Sequence, residues 1–146
     1  MEHVSVFVYG TLKPGAANFV GVASPLENRY CGTEVASIYR AYIYGELYDL
    51  PSLGYPGAIH GTSKVQGFVL GFPNSKILAQ LDILEDYEPH RDPAANDYNR
   101  EAVVADTADR VADTEVWAYF MNPDLVRRGG GVRIADGWWE SRSNYC

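Results

Sequence analysis

Cysteine and histidine are scarce in this chain of 146 residues, which holds only Cys31 and Cys146, and His3, His60 and His90. Two widely separated thiols build neither a disulfide framework nor a zinc ligand set. The three histidines lack the paired spacing of a metal site. Basic residues are few as well: 12 Lys and Arg stand against 19 Asp and Glu, for a formal net charge of -7. Phosphate binding needs a concentrated basic face, so a general nucleic-acid or anionic-membrane role is disfavoured. The densest basic cluster, Arg127-Arg128 with Arg133 beyond three glycines, is too small for such a footprint. Long hydrophobic runs are missing too. The opening MEHVSVFVYG has an apolar run too short for a signal-peptide core, and no later segment reaches bilayer length. The expectation is a cytoplasmic protein with no membrane partner.

The remainder reads as one globular domain, residues 1–146, with an ordinary apolar fraction of 47%. Val4 to Val8 alternates as a strand and stops at Gly10, where Pro14-Gly15 marks a loop. Residues 41–48 alternate again, and Pro51, Gly54, Pro56 and Gly57 then predict a long turn. Gln66 to Phe72 is nearly continuous apolar sequence and suits a strand covered on both sides. Ala102–Ala105 and Val116–Met121 bracket a polar turn and predict a hairpin. One segment has another period. In KILAQLDILEDYEP, Ile77, Leu78, Leu81 and Leu84 share one side of a helical wheel, and Pro89 limits the helix. The tail from Arg127 to Cys146 is Gly-rich and then aromatic at Trp138-Trp139, and its pattern predicts no element.

Two places carry chemistry. Glu85 falls four residues after Leu81 and seven after Leu78, on the apolar stripe, while Asp82 and Asp86 are expected to turn toward solvent. A carboxylate on a buried face is desolvated, its pKa rises, and it becomes fit for general acid/base work near neutral pH. The same position also suits a carboxylate that caps or bridges something structural. Glu88 lies near the stripe but directly precedes proline, which places it in a loop. A carboxylate-pair hydrolase built on Glu85 and Glu88 is thereby a weak alternative.

The second place is Tyr9-Gly10-Thr11-Leu12-Lys13-Pro14-Gly15, at the end of the first strand. A glycine there lets backbone N–H groups converge on an anion or a carbonyl oxygen, though an ordinary tight turn has the same composition. Gly10 and Gly15 have the spacing of a phosphate loop, but Ala16 and Ala17 stand where a lysine and a hydroxyl are required. Nucleotide binding fails at the decisive positions. No G-x-S-x-G elbow is present either.

Val6 to Asn18, with its YGTL, resembles the opening signature of the gamma-glutamylcyclotransferase-like family. Matches continue in order at Gly45–Asp49, Gly54-Tyr55-Pro56, Val65-Gln66-Gly67, the LDILE of Leu81–Glu85, Tyr98-Asn99-Arg100 and Trp117-Ala118-Tyr119. The resemblance covers residues 4 to about 121. It implies an α+β fold, a small mixed β-barrel with flanking helices. It also implies release of 5-oxoproline from a small-molecule gamma-glutamyl substrate, without metal or cofactor. It places the catalytic carboxylate at Glu85 and substrate contacts at Tyr9, Gly10, Thr11 and Leu12, with Tyr98, Arg100 and Tyr119 near the pocket. Asp86 replaces a glycine common in relatives, and its charge is expected to raise the Glu85 pKa further or to alter which amine is accepted. A non-catalytic binding module on the same fold is the alternative.

Overall fold

The computed structural model describes residues 4–10, 37–73, 75–107 and 114–139. Among these residues six strands and two α-helices follow in chain order: β1 (Val4–Val8), β2 (Ser37–Leu50), β3 (Tyr55–Phe72), α1 (Lys76–Leu84), β4 (Tyr98–Ala105), β5 (Thr114–Met121), α2 (Pro123–Arg128) and β6 (Val132–Arg133). The strands form one sheet in the order β4-β5-β1-β3-β2-β6. It is mixed, because β1 runs antiparallel to β3 but parallel to β5. The backbones of Tyr42 and Asp106 exchange two hydrogen bonds of 2.9 Å, tying β2 to the residue that follows β4. Elements from opposite halves of the strand order thus meet, and the sheet curls into a partly closed barrel. This is the α+β architecture that the resemblance implied.

The alternation read in β1 sets up two cores. Val4, Val6 and Val8 point to one side, where Ile77 and Leu81 of α1 and Val126 of α2 cover the sheet. Phe7 points the other way, into the curl, and Tyr9 follows it there with Ile43, Leu47, Val65, Val69 and Phe120. The predicted hairpin is present, with Ala105 opposite Thr114 and Tyr98 opposite Met121. The predicted long turn is shorter than its prolines suggested. It occupies residues 51–54, and Pro56 and Gly57 already belong to β3, paired with Asp49 and Tyr48. Pro56 lies near the start of β3, where a missing N–H costs the ladder least. The helix ends at Leu84, well before Pro89.

The aromatic tail acquires a structure that its pattern did not announce. Ile134 N–H donates to Leu47 O at 2.8 Å, and Gln66 N–H donates to Gly137 O at 2.8 Å. The segment is therefore strapped across the β2–β3 hairpin. Gly137 has φ +72°, and a Cβ there would collide with the Lys64 carbonyl, so only glycine allows this approach. Trp139 enters the inner core, 3% exposed, and its indole N–H donates to Asp49 Oδ1 at 3.1 Å. Among the described residues no helix is long and apolar enough to cross a membrane.

Candidate active site

Glu85 is the residue that ends α1, with φ −94° and ψ 5°, and its N–H still donates to Leu81 O at 2.9 Å. The helix holds its backbone while the side chain faces the sheet at the end of β1. Burial alone pushes the carboxyl up from 4.5 to about 7. Part of the residue's surface remains accessible. Among the described residues no cation pairs with this carboxylate and no hydrogen bond reaches it. A glutamate capping or bridging structure would have such a partner, so the structural reading of Glu85 has no support among them.

Its negative charge is felt by four tyrosine hydroxyls, those of Tyr9, Tyr55, Tyr98 and Tyr119. They come from β1's end, β3, β4 and β5, so the curl of the sheet is what gathers them. Three of these hydroxyl protons are already committed. Tyr9 donates to Tyr119 O at 2.7 Å, Tyr98 to Pro56 O at 2.6 Å, and Tyr119 to Asp82 Oδ1 at 2.6 Å. Tyr9 Oη also accepts from Ala58 N–H at 3.1 Å. Burial raises the pKa of each of the three, so they stay neutral. Their hydroxyls are thus held neutral and fixed in direction.

Gly10 follows Tyr9 at the exit of β1 and lies against Pro56. A Cβ there would lie 3.0 Å from Pro56 Cγ and 3.1 Å from Cδ. A side chain at this position would press on the ring of Pro56 at the start of β3. Thr11 and Leu12, expected to contact substrate, lie outside the described residues.

Asp82 corrects the sequence reading. It does not turn to solvent: its side chain is 16% exposed, and Arg100 Nη1 donates to both its oxygens at 3.1 and 3.0 Å. Arg100 and Tyr119 were expected near the pocket, and both direct their polar ends at this aspartate. A one-dimensional stripe could not reveal it, because the partners sit 18 and 37 residues away. Asp86 does point outward and faces Arg91 at 3.4 Å. Burial is the sole cause of the Glu85 shift, so the expectation that Asp86 raises it further is not met. Glu88 is exposed, which removes the geometry for a carboxylate pair. Asn96 carried no signal in the linear pattern. Buried at 2% exposure, it accepts from Glu88 N–H and Arg91 Nε and donates to Glu88 O, stapling the loop that leaves Glu85. His60, exposed, pairs with Glu101 at 3.0 Å. Among the described residues no three potential ligands cluster as a metal site.

Comparison with known proteins identifies the family to which this curled mixed sheet belongs. A family model described as gamma-glutamyl cyclotransferase, AIG2-like, matches residues 6–141. The chain belongs to this family. The match extends through Trp139, beyond the point near residue 121 where the motifs fade. A Vibrio cholerae protein named "Putative gamma-glutamylcyclotransferase" is 36% identical over 86 residues, 59% of this chain and 64% of that protein. The aligned part thus spans less than two thirds of that relative. Among solved structures, an AIG2-like protein of Mus musculus superposes with a TM-score of 0.72 at 18% identity, over 98% of this chain and 92% of the other. A uropathogenic E. coli-specific protein gives 0.62 at 20% identity, over 95% and 94%. At these identities the structural likeness speaks for the fold.

Proposed function

We propose that this protein is a gamma-glutamylcyclotransferase-type enzyme that releases 5-oxoproline from a gamma-glutamyl amine or peptide, with Glu85 as general acid/base. The observation that carries the reading is the Glu85 carboxyl, unpaired among the described residues and held near pH 7 by burial. A base poised at the working pH can take a proton and return it. The α-amine of a gamma-glutamyl group reaches its own side-chain carbonyl, so the attack is intramolecular and the site mainly has to hold the folded conformer. Glu85 accepts a proton from the α-ammonium, and the freed nitrogen bonds to the γ-carbonyl carbon. The bond from that carbon to the departing nitrogen breaks as Glu85 delivers its proton there, and the ring nitrogen's second proton passes by way of Glu85 to the released amine, which leaves as an ammonium. Atoms and charge balance without cofactor or metal.

The Tyr9-Gly10-Thr11-Leu12 loop would hold the substrate, its backbone N–H groups facing the carboxylate or the carbonyl oxygen as it gains charge. One such donor is worth roughly 3 kcal/mol in acyl chemistry. The rings of Tyr9 and Tyr98 support this reading as walls beside Glu85, while Arg100 and Tyr119 stand behind them on Asp82. The test is Glu85→Gln, assayed for 5-oxoproline across a panel of gamma-glutamyl amines, with circular dichroism as the fold control. Release by the parent and near-complete loss in the folded variant are expected. Equal turnover by the variant overturns the reading. Binding of every panel member without consumption by the parent identifies a binding module instead.

A further inference from the structure

Asp82 lies three residues before Glu85, and side chains at that spacing are neighbours on one helix face. The two carboxylates nevertheless have opposite surroundings. Asp82 receives three hydrogen bonds, two from Arg100 and one from Tyr119, and Glu85 receives none among the described residues. The Tyr119 hydroxyl feels Asp82, Arg100 and Glu85 together, so the three charges sit within electrostatic reach of one point. Arg100 is covered by the rings of Trp117 at 4.8 Å and Tyr87 at 5.4 Å. Its Nε is buried with no hydrogen-bond partner among the described residues, so Asp82 is what balances this cation. The contact also continues past Asp82. The Tyr119 backbone oxygen accepts from Tyr9, whose own oxygen accepts from Ala58.

We propose that Asp82 is a positioning residue, which locks the last turn of α1 to the β4–β5 hairpin through Arg100 and Tyr119 and cancels the Arg100 charge next to Glu85. The pair has two consequences. Mechanically, it fixes the turn from which Glu85 projects against β5, the strand that also anchors Tyr9. Electrically, it sets a neutral ion pair, rather than a bare cation, on the turn that carries Glu85. Among the described residues, Tyr9 from the end of β1, Tyr55 from β3, Tyr98 from β4 and Tyr119 from β5 feel Glu85, and Asp82 and Arg100 act with it on Tyr119. Asp97, just before β4, acts on Tyr55 and Tyr98, and Asp86 faces outward to Arg91. The tyrosines stay neutral across the working range, so of these groups Asp82 and Arg100 are the pair whose imbalance would reach Glu85.

The positioning role rests on the cyclotransferase reading, but the electrical half can be measured without turnover. The Glu85 carboxyl is titrated by carbon-13 NMR in the full chain, its signal assigned by its loss in Glu85→Gln. Asp82→Asn leaves Arg100 uncancelled and is expected to lower the Glu85 midpoint by about one pH unit. Arg100→Gln leaves Asp82 uncancelled and is expected to raise it by a similar amount. The double variant, neutral on both sides, is expected to return near the parent value, and it keeps the test open where a single variant fails to fold. Unmoved midpoints in folded single variants, or a double variant displaced as far as a single one, overturn the charge assignment. Arg100→Lys keeps the cation but gives up the two-oxygen contact, so kcat is expected to fall while KM and the midpoint stay. An unchanged kcat overturns the positioning role. Shifted midpoints in a protein that cyclises no gamma-glutamyl amine would sustain the charge arrangement and sink the proposed function instead.

Discussion

The inside of the curled sheet and the turn at the end of α1 are both dry, and they use dryness with opposite effect on stability. The interior holds Phe7, Ile43, Leu47, Val65, Val69 and Phe120, with Trp139 inserted from the strap. Burial there removes apolar surface from water, and the one indole N–H carried in is matched by Asp49. At the turn, the same kind of wall encloses a carboxylate that no described residue pairs. Burial there opposes ionisation. A folded chain tolerates such a group only if the rest of the core outweighs it, and active sites are where that occurs.

The largest expected effect lies on the interior side. Trp139→Ala should cost about 3–5 kcal/mol of stability, because it empties a core site and removes the indole N–H donated to Asp49. A denaturant titration checks this, and a loss under about 1 kcal/mol would mean the strap is an ornament on a self-sufficient barrel. The turn should respond with the opposite sign. Glu85 binds its proton more tightly when folded, from 4.5 in the unfolded chain to about 7. Its stabilising proton is in place below about 4.5, and the benefit is lost as pH rises through about 7. Glu85→Gln escapes that loss. It should unfold at higher denaturant than the parent at pH 8, by up to about 3 kcal/mol less whatever water reaches the carboxyl, and match it near pH 4.5. A parent that outlasts the variant at pH 8 would contradict the burial of this charge.

Gly10→Val tests the close contact between the two regions' edges. Its Cβ would press on Pro56, so affinity for a gamma-glutamyl ligand should fall at least tenfold, about 1.4 kcal/mol, in isothermal titration. Unaltered affinity would remove the loop from the binding site. The smallest effect is expected at Asp86, which holds φ +53°. Asp86→Gly relieves a left-handed backbone and gives up an exposed contact with Arg91, for a net gain of about 0.5–1 kcal/mol. The Glu85 titration should not move, since the Asp86 side chain is exposed and faces outward to Arg91. A clear drop in the midpoint would restore Asp86 to the site.

Legibility followed sequence distance. β1 was readable to the residue, because alternation within five positions is a local property. Glu85 was readable from a stripe on nine residues of helix, for the same reason. Asp82 was misread because a helical wheel knows which side a residue takes but not what meets it there. The prolines at 51 and 56 overstated the turn, since a strand accepts proline near its start. The tail was illegible: Trp139 has no periodic partner nearby, and its place is set by β2 and β3 far earlier in the chain.

By itself, the order of residues determined the strands, the helix, the family motifs and the identity of one candidate acid/base, all features with short-range periods or contiguous signatures. The tertiary structure decided which carboxylate is paired and which has no partner among the described residues. That choice depends on the curl of the sheet, which brings Arg100 and Tyr119 onto Asp82 and gathers four tyrosines about Glu85. Desolvation and charge pairing act through space, and no local pattern encodes which distant strand will arrive.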